Sequence, residues 1–401
     1  MADVEKIKKV FQEKKGILRM IPNWMPRPFN RPGRRIRLHP DDYYCLGTKR
    51  GAITERWFSS ITPALNGPLA PPDEGLSKVS FSGAYEDNAY FKDVVGALGA
   101  DLIGDELFGK YGTWPMYSKF FDNEMPLFHH LHFSDADAAR IGKLGKPEAY
   151  YFPPQLNNHP GVFPHTYFGY DPDVTREEVK KRLLMYEAGD NRITELSRAY
   201  RLELGTGWYT APGVVHAPGS YLTYEPQWNS DVNSMQENIV WGEVYPKEFL
   251  VGNLPPDRQN DIEAAMALMD WEANVDPRYR KKYFLPPLPI DAGSKDWSEK
   301  WITYRNPYFG AKETTIEPGK TAIVRDQAAY GCIIIQGHGE FGGYDDAECA
   351  VTLRYNQLSG DEYFVSEKAA KSGVRIVNRS RHEPMVILRH FGPNAGHPLD
   401  K

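Results

Sequence analysis

Three histidines stand within seven residues in LFHHLHF (127–133), although the 401-residue chain holds only 11. Imidazole is the side chain most often recruited as a metal ligand or proton carrier near neutral pH. In an extended strand alternate side chains share a face, so Phe128, His130, His132 and Ser134 point one way. His129, Leu131 and Phe133 then point the other. An H-x-H pair placed like this offers two imidazoles to one ion, but two histidines rarely hold a metal unaided. Further along, GKPEAYYF reads as a strand with Glu148, Tyr150 and Phe152 on one face. Later still, YTAPGVVHAPGS carries His216 out of a Pro-Gly turn into another strand. His130, His132, Glu148 and His216 together supply three neutral nitrogens and one carboxylate. That donor set suits one divalent ion, zinc, manganese, iron or nickel, without picking one, and it leaves coordination positions open; zinc is the ion we expect. An isolated H-x-H strand is more often structural; the ordered set is what points to a metal.

The elements that must position these residues are short and mostly extended. Thirty-five Gly and 32 Pro punctuate the chain, and aromatics reach 13% with 24 Tyr and 9 Trp. Short Tyr-, Phe-, Val- and Ile-rich segments between such breaks read as an all-β sandwich or barrel. Helices are few. Val4, Ile7, Val10 and Phe11 give the N-terminus an amphipathic face. FKDVVGALG reads as a short helix. TREEVKKRLLMYEAGD opens with Thr175 and Glu178 in capping-box spacing, and residues 257–272 read as one further helix.

Four segments, taken in order, carry a resemblance to the type I mannose-6-phosphate isomerases, two-barrel proteins of the cupin superfamily. GAITERWFSS is similar to the family's early strand ending in an acidic residue and Trp. WPMYSKFFDNEMPLFHHLHFSDADAAR resembles its metal-binding stretch, and GKPEAYY its Lys-x-Glu segment. The most specific match is YTAPGVVHAPGSYLTYEPQWNSD. The resemblance implies a mainly β fold: two cupin (double-stranded β-helix or jelly-roll) barrels with a few packing helices. It implies one metal in the first barrel, held by His130, His132, Glu148 and His216, with His130 standing where the family has Gln. Lys119 and Lys146 fall on family lysines. One departure bears on the substrate: after NSD the family carries an arginine, and here Met235 takes that position. RLHPDDYY (37–44) reproduces a family string ahead of the ERW segment, and we read it as a turn that keeps His39 off the metal.

An aldose–ketose isomerase moves a proton between adjacent carbons through an enediol. The barrier lies in charge developing on the sugar oxygens, which a divalent ion stabilises as a Lewis acid. A base must also reach the C–H with its pKa tuned toward neutrality. Lys146, Glu225 and Asp231 are the candidates, the last two near the cavity rim. Lys119, Tyr150, Gln227 and His165 are candidates for contacting a sugar or sugar phosphate; Gln227 shares a face with Glu225 in YEPQW. The readings that compete with the isomerase are a cupin oxygenase or decarboxylase using the three-His, one-Glu set, and a sugar-binding cupin without turnover.

Forty-eight basic against 53 acidic residues leave a net charge of −5, which offers no electrostatic case for nucleic acid or an anionic membrane. No apolar run reaches a membrane span. Three scattered cysteines argue against a disulfide framework or a thiolate site. We expect a cytoplasmic protein with a small-molecule partner, with a homo-oligomer contact left open. The expected division is an N-terminal helix and arm over 1–44, the metal-binding barrel over 45–250, a helix and Pro-rich crossover over 251–298, and a second, metal-free barrel over 299–401. In the last, His338 and Glu340 lack a histidine partner, and His382 and His390 look peripheral.

Overall fold

The structure is a computed structural model that describes residues 3–158, 163–259 and 261–399. It is mainly β, and its large sheets stack as four layers. The outer sheet of the first half has five strands. They include His165–Tyr170, His216–Ala217, His130–Leu131 and Ser234–Met235, paired in that order. It faces a seven-stranded sheet in which Glu148–Tyr151, Thr223–Trp228, Met116–Phe121, Ala52–Phe58 and Asn23–Arg27 are successive neighbours. The second half pairs a nine-stranded sheet, built around Gly310–Ile316, Met385–Phe391 and Tyr330–Gln336, with a four-stranded one. The named strands pair antiparallel and the sheets stay open rather than closing into barrels.

The two large sheets pack back to back, which explains strands that are apolar or buried at every position. All seven residues of Ala52–Phe58 and all six of Thr223–Trp228 are buried. A strand covered on both faces has no solvent side to alternate with. One face of this sheet carries Phe58, Phe120, Tyr151 and Tyr224 against Ile302, Ile333, Val386 and Leu388 of the second half. Polar clasps cross the same seam. Arg56 donates to Asp361 at 2.7 and 2.8 Å and to Glu362 at 3.0 Å. The Tyr151 hydroxyl donates to Glu313 at 2.5 Å. His390, expected at the periphery, lies fully buried here with its Nδ1 2.9 Å from the Tyr224 hydroxyl.

The N-terminal segment supplies a strand to each half. Ile17–Ile21 pairs with Glu362–Val365 of the second, and Asn23–Arg27 pairs with Ala52–Phe58 of the first. The helix Val4–Glu13 is capped by Asp3 and buries Ile7 and Val10. Thr175 caps Arg176–Leu184 through the Glu178 amide as its spacing predicts, while the Glu178 carboxylate turns to Arg182 at 2.9 Å. The single helix expected over 257–272 is instead broken into Pro256–Arg258, Ile262–Ala267 and Trp271–Asn274. Asp261 and Asp270 each cap a new start, and their short side chains compete with continuation of the helix. Among the described residues no helix is long and apolar enough to cross a membrane.

Candidate metal centre

The strand holding the first two histidines is only His130–Leu131, with His132 just beyond it. His130 pairs directly with His216 on the neighbouring strand. The rings of His130, His132 and His216 lie 4.2 to 5.0 Å apart, all three buried, with ligand atoms within 4.8 Å of one another. Glu148 reaches them from the facing sheet. Its Oε2 is 2.9 Å from His132 Nε2, and its Oε1 is 3.2 Å from His216 Nε2. Strand parity sends His129 the other way, where its Nδ1 and backbone amide both meet Glu237 at 2.9 Å.

Each of the three rings has its Nδ1 against a backbone carbonyl: Phe128 at 2.9 Å, Val232 at 3.0 Å and Val214 at 2.8 Å. A carbonyl can only accept, so Nδ1 carries the hydrogen and every Nε2 presents a lone pair. Burial, with the neighbouring histidines, holds His130 well below its ordinary pKa. Burial lowers His132 to about 4, with Lys146 adding to the shift and Glu148 opposing it. Neutral imidazoles facing a carboxylate acceptor to acceptor repel unless a cation lies between them. Lys146 Nζ meets part of that need, 3.0 Å from His132 Nε2 and 2.7 Å from Glu148 Oε2. His216 Nε2 remains buried without a hydrogen-bond partner. The donor set, its tautomers and that orphaned nitrogen fit a divalent metal ion.

The remaining candidates fall into place around this cluster. A cavity of about 330 Å³ opens onto His130 and His132 and is also lined by Arg27, Lys119, Lys146 and Asp231. Lys119 and Glu225 are cross-strand partners whose charged ends lie 3.3 Å apart, and Lys146 is 3.7 Å from Glu225. Burial lowers the Lys119 ammonium, but Glu225 and Glu55 outweigh it and leave it raised. The Glu225 carboxyl is raised to about 8, by burial first and then by Glu148. Neither Glu225 nor Asp231 sits at the rim as expected: both are buried, at 2% and 8% exposure. Burial raises Asp231, yet Arg27, Lys119 and Lys146 prevail and bring it to about 2.

Three of the residues expected to contact substrate, Tyr150, Gln227 and His165, are not in the cavity lining. The Tyr150 hydroxyl donates to Glu148 Oε1 at 2.6 Å and so steadies the carboxylate. Gln227 pairs with Glu148 across the sheet and donates to the Tyr117 hydroxyl at 2.6 Å and the Ser230 carbonyl at 2.7 Å. His165 lies at the start of its strand, opposite Arg201 and against the Phe163 ring, away from the cavity lining. His39 closes the 40–42 turn through the Asp41 amide.

Met235 lies directly across the strand pair from His130 but is not part of the cavity lining. It is fully buried and packs with Phe128 and Val240. The cavity takes an arginine from elsewhere: Arg27, at the end of the N-terminal strand, with its guanidinium between Glu55 and Asp231 at 3.1 and 3.2 Å. Sequence reasoning missed it. The available signal was one arginine closing the apolar run ILRMIPNWMPR, sharing strand parity with Asn23 and Met25.

No family model and no curated protein matches the chain. Solved structures do. The mannose 6-phosphate isomerase from Bacillus subtilis superposes with a TM-score of 0.61 over 93% of this chain and 99% of its own, at 15% identity. A variant of the phosphomannose isomerase from Salmonella typhimurium gives 0.62 over 94% and 99%, at 12% identity. A zinc-bound mannose 6-phosphate isomerase gives 0.59 over 94% and 99%, at 12% identity. At nearly full length, the chain has the fold of these mannose 6-phosphate isomerases.

Proposed function

We propose that the protein is a metal-dependent aldose–ketose isomerase that works through an enediol intermediate. The observation that carries this reading is the meeting of three lone-pair imidazole nitrogens and the Glu148 carboxylate at the inner end of a cavity that Lys146 also lines. His130, His132, Glu148 and His216 would hold one divalent ion, and zinc suits three nitrogens and a carboxylate well. Bound there, the ion supplies Lewis-acid stabilisation of charge on the sugar oxygens.

The chain's own residues supply the proton handling. Lys146 reaches into the cavity, and Glu225 stands 3.7 Å behind it. A buried carboxyl poised near neutrality beside an ammonium can pass a proton in either direction, as a transfer between two carbons requires. Asp231, ionised and clamped to Arg27, suits an orienting role and is a poor proton carrier at neutral pH. Tyr150 and Gln227 fix the strand and carboxylate that complete the ligand set. The full-length fold likeness favours this reading over oxygenase or decarboxylase chemistry on the same donor set.

Proton NMR in D2O of metal-loaded protein with a panel of aldoses and aldose phosphates tests it. Ketose formation, or loss of the C2 proton to deuterium, is expected with one member. No exchange with zinc, manganese, iron and nickel in turn overturns the isomerase reading and leaves the binding or oxygenase alternatives.

A further inference from the structure

The charges around the cavity form a closed set. Three cations line it: Arg27, Lys119 and Lys146. Each is already engaged. Arg27 holds Glu55 and Asp231 on two edges and donates to the Asn66 side-chain oxygen Oδ1 at 2.6 Å. Lys119 lies between Glu225 at 3.3 Å and Glu55 at 3.7 Å, and Lys146 holds Glu148 at 2.7 Å. The four carboxylates in these pairs are each less than a tenth exposed. Diverting Arg27 to a new anion takes from the buried Asp231 its ion-pair partner, which costs on the order of several kcal/mol.

The mouth adds no free positive charge among the described lining residues. It brings a fifth carboxylate, Glu248, which is exposed, together with Phe29, Phe249 and the amides of Asn233 and Asn253. Three cations and one divalent ion stand against five carboxyl groups, so the loaded site carries at most one formal positive charge, when Glu225 holds its proton. A phosphate dianion entering it has no unengaged partner and meets Glu248 on the way. Amides and aromatic edges suit hydroxyl groups and the apolar face of a sugar ring.

We infer that the substrate is a neutral, unphosphorylated sugar, recognised through its hydroxyl groups rather than through an anionic ester. This rests on the isomerase reading above and narrows its substrate class.

The test compares mannose, glucose and xylose with mannose 6-phosphate and glucose 6-phosphate on the metal-loaded full chain. It follows both C2-proton loss in D2O and calorimetric binding. A free aldose is expected to exceed its 6-phosphate in kcat/KM by at least about 100-fold, because like-charge juxtaposition costs several kcal/mol. Inorganic phosphate is expected not to displace the free sugar. A 6-phosphate used as well as, or better than, its free sugar overturns the inference. If no sugar exchanges, the isomerase reading is what fails, and binding decides the inference separately. Uptake of a free aldose in preference to its ester upholds it, whereas tighter binding of the ester, or no binding of any free aldose, overturns it. Glu248→Lys supplies a free cation at the mouth. It should raise the ratio of kcat/KM for the ester to that for the free sugar by about tenfold; an unaltered ratio counts against the charge argument.

Discussion

Two buried polar clusters, one in each half of the molecule, are built on opposite principles. In the second half, Lys312 donates to Glu299 at 3.0 Å and Asp326 at 2.5 Å, and Arg389 bonds to the same two carboxylates. Two cations meet two anions, packed beside Trp301, Tyr330 and Phe391, and each charge is answered. In the first half, His132, His216 and Glu148 face one another as acceptors, and one nitrogen has no partner. The first arrangement is complete as it stands and serves the fold. The second is completed only by a cation from outside, which is the physical mark of a binding site.

The comparison can be broken most forcefully at Arg389. Arg389→Met leaves Glu299 and Asp326 sharing only Lys312 and should cost about 3–5 kcal/mol, read from urea unfolding. Metal content should not change. His216→Gln is the mirror experiment. Metal affinity should fall by more than about 100-fold, since removing even supporting residues costs 10–100-fold. The metal-free variant should unfold at the same urea concentration as the parent or a higher one, because an acceptor–acceptor contact has been removed. If both substitutions prove equally destabilising, the distinction between the halves is lost.

Why some of this could be read from residue order and some could not follows from distance along the chain. Strand parity and turn chemistry are local, so HLH, the Glu of KPE and the His of PGVVH could be placed on their faces before any fold was known. The charge quartet of the second half joins positions 299, 312, 326 and 389, and no short window holds two of its cations. Arg27 escaped for a similar reason: it is a surface-type residue by composition, and only pairing with residues 52–58 buries it. Conversely, Met235 drew attention as a missing cation, when the structure uses that position for packing and draws its arginine from elsewhere. The broken helix over 257–272 shows local logic misapplied. Apolar spacing outweighed Asp261 and Asp270, whose side chains instead start new helices.

A smaller effect sharpens the picture at the seam between the halves. Burial raises Glu362 to about 8, with Arg56 opposing and Asp361 adding to the shift. Its folded-state value lies above the ordinary 4.5. The stability its neutral form contributes is therefore fully present below that ordinary value and lost as pH rises through about 8. Urea midpoints measured between about pH 5 and pH 9 should decline for the parent, and less for Glu362→Gln. An identical decline in both would assign the pH dependence to another group. Smallest of all, Met235→Leu preserves volume in an apolar cluster and should cost less than about 1.5 kcal/mol, with turnover and metal content unaltered. A large loss of activity there would restore Met235 to the site.

The strand Ile17–Ile21 has a consequence for how the chain is made. Its partner, Glu362–Val365, is synthesised more than 340 residues later. Until then, a five-residue strand, apolar except for Arg19 and buried at every position in the finished molecule, has one edge open. An open apolar edge is a template for pairing with another chain, and contacts so distant in sequence form slowly. The first half, although it carries the whole ligand set, therefore emerges from the ribosome in an aggregation-exposed form. Chains truncated before residue 362 should accumulate as insoluble material, and supplying the missing C-terminal segment in trans should recover them.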